Sequence, residues 1–152
     1  SGLGRRADWI LLVFGTASLV VIPVIGALVD RHLRSLVLAS MTLFAAASLL
    51  LAVFGDQPAA VYLGVVAWGL AFGGAPTLFQ TASAKAAGAE ADAAQSMIVT
   101  AWNAAMAGGG LAGGLLLDGI GATIFPAALL AILLPALIVA WAGRHGFPPR
   151  SR

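Results

Sequence analysis

Long uncharged runs separated by short charged clusters set the pattern of this chain. Twenty-one uncharged residues lie between Asp8 and Asp30, and 21 more between Arg34 and Asp56. The next gaps are 28 residues from Asp56 to Lys85, 25 from Asp92 to Asp118, and 25 from Asp118 to Arg144. A helix needs about 20 apolar residues to cross a hydrocarbon core of roughly 30 Å, so each gap holds one crossing and none holds two. The runs are continuously apolar rather than alternating, and each is too long for a barrel strand, so helix wins over strand. The pattern predicts helices near residues 9–29, 35–54, 58–82, 93–117 and 122–141. The fold class that follows is an all-α polytopic membrane bundle of about five transmembrane helices, forming a single transmembrane domain over residues 1–152.

Composition agrees with that pattern. The chain is 61% hydrophobic and 9% charged, with a mean hydropathy of +0.99. A soluble domain is nearer half apolar and a quarter charged, because its surface must face water. Here the lipid bilayer is the solvent for most of the surface. Four prolines, Pro23, Pro76, Pro126 and Pro135, fall inside the predicted spans. Membrane helices tolerate them, often as kinks, where neighbouring helices re-satisfy the freed carbonyls. The first span is too long for a signal-peptide core and more apolar helices follow it, so it reads as a true crossing. The chain opens at Ser1 rather than Met, a few residues before a helix, which suggests a fragment or a truncated product.

Charge placement orients the bundle. With the N-terminus outside, the inner face carries Arg31, Arg34, Lys85, Arg144, Arg150 and Arg152, and the outer face only Arg5 and Arg6. That asymmetry predicts a cytoplasmic C-terminus in a cell membrane. The pI of 9.9 comes from a net charge of only +2, so nucleic acid is not expected as a partner. Cysteine is absent, and His32 and His145 stand beside arginines at span ends. No metal site, cofactor or catalytic group is therefore expected. Ser18, Ser40 and Ser48 have no base to activate them as nucleophiles.

The first inner connection, residues 26–34, reads Gly-Ala-Leu-Val-Asp-Arg-His-Leu-Arg. A glycine allows close helix approach, and a carboxylate with arginines on so short a connection can latch one of two helix arrangements. The string resembles motif A of the major facilitator superfamily, G-x-L-x-D-R-x-G-R-R. Gly26, Leu28, Asp30, Arg31 and Arg34 match it, while Leu33 replaces the second glycine. The stretch 68–76, Trp-Gly-Leu-Ala-Phe-Gly-Gly-Ala-Pro, followed by Gln80, is similar to helix ten of drug- and sugar-efflux members of that superfamily. Asn103, the glycines at 108, 109, 110, 113 and 114, and Asp118 are similar to their helix eleven. The resemblance covers nearly the whole chain and implies helices eight to twelve of twelve, with an N-terminal transporter portion as the missing partner. Gly26-x-Leu28-x-Asp30 also recurs as Gly114-x-Leu116-x-Asp118, an echo that fits inverted repeats.

Several residues carry two readings. Gly109 with Gly113, and Gly110 with Gly114, form G-x-x-x-G pairs suited to helix packing or to sliding. Asn103 lies towards mid-span, where an unpaired amide is costly, and either bonds a neighbouring helix or contacts a solute. Gln80 is nearer the inner end and is either hydrated or a solute contact. Trp68, Phe72 and Phe79 share one helical face, to pack or to line a cavity. Met106, beside Asn103 and Trp102, is a soft lining candidate. No titratable residue lies deep in any span, so a proton-coupling group would belong to the missing portion. The function implied is export of a small organic solute by alternating access, coupled to protons. The alternative is a small non-transporting membrane protein that associates through its glycine-rich fourth helix.

Overall fold

A computed structural model describes the backbone of residues 2–143 and the side chains of residues 7–143. All of its regular structure is helical. Helix α1 spans Gly2–Phe54, α2 Pro58–Gly73, α3 Ala75–Ala87, α4 Ala91–Gly119 and α5 Phe125–Ala142. Single 3-10 turns at Gly88–Glu90 and Ala122–Ile124 lead into α4 and α5. Arg5 and Arg6 (side chains) and Arg144, His145, Arg150 and Arg152, used above for orientation, lie outside the described residues.

Straight, the apolar part of α1 would be far too long for one crossing. Its 48 residues would extend about 72 Å at 1.5 Å per residue, more than twice a bilayer core. The helix instead doubles back at His32, whose φ of −131° and ψ of 26° lie outside the helical region. Contacts with α2 and α3 prove the reversal. Along the first limb Phe14 meets Phe72, Ile25 joins Leu78, and Asp30 meets Lys85. Along the second, Ser40 meets Ala71, Phe44 meets Trp68, and Leu51 meets Gly64. One set ascends with α2 and the other descends, so the limbs are antiparallel and both flank α2. The polar string 30–34 is the turn between them.

The predicted third span is one run in the sequence but two helices in the structure. It breaks at Gly74 (φ −88°, ψ −12°), between α2 and α3. Pro76 in the next turn has no N–H to offer the Phe72 carbonyl, which explains a break there. Helix α4 then returns antiparallel to α3, with Phe79 on Trp102 and Gln80 on Gln95. Finally α5 comes back to the turn of α1, where an Arg34 guanidinium nitrogen donates to the Trp141 carbonyl at 3.0 Å. Three apolar stretches, Ala7–Phe54, Pro58–Gly119 and Ala122–Ala142, meet the length and hydropathy needed to cross a membrane. The first two fold back on themselves, and the architecture is a membrane helix bundle.

Packing is concentrated where α2 sits against α1. The pair Gly69 and Gly73 forms a G-x-x-x-G of its own: a Cβ on Gly69 would lie 2.6 Å from the Phe14 carbonyl oxygen, and one on Gly73 2.5 Å from that of Ser18. Only glycine permits backbones so close. Towards the 30–34 turn, Leu78 of α3 seats among Ile25, Val29 and Leu33. Elsewhere large apolar side chains such as Leu19, Leu115 and Val139 stand outward, about 70% exposed. That is the surface expected of a protein solvated by lipid tails.

Candidate functional site

A cleft of about 130 Å³ opens between α3 and α4. Pro76, Phe79 and Gln80 line one side, and Ile98, Val99, Trp102 and Asn103 the other. Each set occupies one face of its helix through i+3 and i+4 spacings. Trp102 is the centre of an aromatic chain. Its ring centroid lies 6.1 Å from those of both Phe72 and Phe79, and Phe72 lies 6.0 Å from Phe14. Such tilted and edge-on pairs are worth about 0.5–1.5 kcal/mol each beyond burial. The Gln95 side-chain nitrogen donates to the Gln80 carbonyl at 3.2 Å and ties the two helices beside the cleft.

Chemically the cleft is apolar and aromatic with two amides and no formal charge. The side-chain amides of Gln80 and Asn103 have no hydrogen-bond partner among the described residues, which leaves donors and acceptors for an incoming group. Pockets for drug-sized ligands run to about 300–1,000 Å³. This cleft is smaller, the size for one aromatic ring and a polar substituent rather than a whole ligand.

The structure separates the residues that the sequence pattern grouped together. Gln80 and Asn103 do meet in the cleft, and Phe72 borders it through Trp102. Trp68 turns the other way and packs on Phe44, ring centroids 5.3 Å apart. Met106 is 61% exposed on α4 and does not line the cleft. Cβ atoms at Gly109, Gly110 and Gly114 would meet nothing within 4 Å, and one at Gly113 would meet only Phe125, at 3.6 Å. Among the described glycines, those pressed against the backbone of a neighbouring helix are instead Gly69 and Gly73. Their own four-residue spacing was the available signal, overshadowed by the denser run on α4.

The turn at residues 30–34 is held by a partner that sequence reasoning missed. Lys85, at the end of α3, pairs with the Asp30 carboxylate at 3.3 Å and also donates to the Asp30 carbonyl at 3.3 Å. Among the described residues Asp30 makes no ion pair with Arg31 or Arg34. Arg31 is the adjacent residue and points elsewhere, and the non-helical His32 breaks the i, i+4 register that would set Arg34 beside Asp30, whereas α3 delivers Lys85 from across the bundle. Arg34 caps the last turn of α5, with its Nε buried and without a hydrogen-bond partner. Gly26 meets nothing within 4 Å, and Arg31 is exposed. Lys85 is the single lysine of the chain, and the charge pattern assigns it to the same membrane side as the 30–34 turn, which was the clue to the pairing.

The sequence that builds this bundle of membrane helices, cleft and charged turn matches a known family. The family profile of the Major Facilitator Superfamily covers residues 4–152, and the chain belongs to that superfamily. Two curated relatives, each 34% identical over 122 residues, are chloramphenicol efflux pumps of Mycobacterium tuberculosis, from strains CDC 1551 / Oshkosh and ATCC 25618 / H37Rv. The match covers 76% of this chain but 30% of each relative, so the chain spans less than a third of the length of the pumps it resembles. No solved structure is a significant match. Membership places this chain in a superfamily of membrane transport proteins, and relatives named as efflux pumps do not favour a non-transporting accessory role.

Proposed function

We propose that this chain is helices eight to twelve of a carrier that exports a small, uncharged aromatic solute by alternating access, driven by protons. The carrying observation is the cleft in which Trp102 and Phe79 supply ring faces while Gln80 and Asn103 present unpaired amides. An uncharged lining leaves no ion pair for a charged solute, and the side-chain amides of Gln80 and Asn103, exposed at the cleft, are open to hydrogen bonds from a ligand. The first solute to test is chloramphenicol, which the names of both relatives specify. Its export would need the rest of a cavity from an N-terminal portion, because 130 Å³ is too small to enclose such a molecule.

In this reading Asp30 and Lys85 latch the inner ends of α1 and α3, and the state open to the cytoplasm requires that pair to separate. Gly109, Gly110, Gly113 and Gly114 would pack or slide against helices of the N-terminal portion. The test is chloramphenicol accumulation in drug-sensitive bacteria expressing the full-length protein that carries this chain, with and without Trp102→Ala. Lower accumulation with the parent protein, reversed by the substitution at equal membrane abundance, is the expected result. Equal accumulation in cells with and without the parent protein would sink the reading.

A further inference from the structure

All seven residues that line the cleft lie beyond the break at Gly74. The angle at that break therefore decides where the cleft sits relative to α1 and α2. Two hydroxyls grip the chain just before it. Ser18, on the first limb of α1, donates to the Gly69 carbonyl at 3.1 Å. Ser40, on the opposite limb, donates to the Ala71 carbonyl at 2.6 Å. In an unbroken helix the Ala71 carbonyl would accept from Ala75, which lies across the break. A carbonyl left without a partner in an apolar interior costs about 1–3 kcal/mol. The Ser40 hydroxyl removes that cost only while α2 ends where it does.

We infer that Ser40 is a positioning residue: by occupying the Ala71 carbonyl it stabilises the bend at Gly73–Pro76 and so fixes the cleft against α1. Helices α3 and α4, joined by Trp102 on Phe79 and Gln95 on Gln80, move about that bend as one body. The Phe72–Trp102 contact is the joint that crosses it, since Phe72 stands before the break and Trp102 after it. Leu78 in its apolar seat and Lys85 on Asp30 dock the far end of α3 in the observed arrangement. The inference rests on the alternating-access reading for its role in transport, but the bend and its serine can be tested without transport.

The chain has no cysteine, so spin labels can be placed without removing native thiols. Labels on Leu63→Cys and Ala86→Cys, both exposed, bracket the break. If α2 and α3 were one straight helix, the two positions would be about 35 Å apart, within the range of pulsed electron–electron spectroscopy. In lipid nanodiscs, Ser40→Ala is expected to add a second, displaced population to the distance distribution, and Ser40→Thr, which keeps the hydroxyl, to restore the single one. Ser48→Ala is the control, because Ser48 bonds the Phe44 carbonyl of its own helix; it leaves the distribution unchanged. Pro76→Ala, which returns a donor for the Phe72 carbonyl, moves the distance towards the straight-helix value and covers the case in which Ser40→Ala fails to fold. Identical distributions for the parent and Ser40→Ala, or no shift with Pro76→Ala, overturn the inference. A response at Ser40 in a protein that exports nothing would overturn the proposed function and leave the bend standing.

Discussion

The two ends of the third predicted span behave differently. Its first part, α2, is locked between both limbs of α1: Gly69 and Gly73 admit the backbones of Phe14 and Ser18, and two serines bond its carbonyls. Its second part, α3, touches α1 through Leu78 and Lys85 and otherwise shares a cleft with α4. Apolar side chains cannot drive association in lipid, where tails are as apolar as leucine, so close backbone packing and interhelical hydrogen bonds hold such bundles together. Where these are dense, the bundle is a scaffold. Where they thin out, beyond Gly74, the chain opens into the cleft between α3 and α4.

The largest effect that would break this contrast comes from filling the glycine contact. Gly73→Leu drives a side chain into the Ser18 backbone and is expected to destabilise the chain by about 3 kcal/mol or more, read by unfolding in mixed micelles. Gly110→Leu, in open space, is expected to change the stability of the 152-residue chain by less than about 0.5 kcal/mol. Equal losses at the two sites would dissolve the distinction between a packed and an open region.

Trp102→Ala removes the centre of the aromatic chain and should weaken solute binding about tenfold, with a much smaller change in stability than Gly73→Leu. Asn103→Ala comes next, at about three- to tenfold, the worth of one hydrogen bond to a solute. Both are read from export by the full-length protein at matched expression. A loss of folding instead would place these residues with the scaffold.

Asp30→Asn is the smallest. The Asp30 side chain is 82% exposed, and pairs at such sites contribute about 0–1 kcal/mol, less in high salt. The expected outcome is a slight drop in stability that disappears at about 1 M salt, with a larger change in the ratio of inward- to outward-facing states seen by cysteine accessibility at the inner ends. An unaltered ratio would remove Asp30 from the latch.

The spans were legible because each reports a requirement that the chain meets alone: enough consecutive apolar residues to cross the bilayer, with charges left at the interfaces. The reversal at residues 30–34, the family resemblance and the placing of Gln80 and Asn103 came from the same one-dimensional pattern. The break at Gly74 was only half visible, since Pro76 marks a kink but tolerated prolines do so in many membrane helices. Which partner a group finds was not legible. Asp30 had arginines beside it in the sequence and took Lys85 instead; Trp68 and Phe72 share a helix face four residues apart, yet one packs on Phe44 and the other on Trp102.

Hydropathy and charge, being sums along the chain, thus determined that this protein is a membrane helix bundle whose charges fall at helix ends and turns. Only tertiary structure decided that Gly69 and Gly73 are the close contact, that Ser40 completes a broken helix, and that a cleft forms on α3 and α4. Those outcomes depend on distances between residues 31, 51 or 55 positions apart, which the folded path sets and no local pattern encodes.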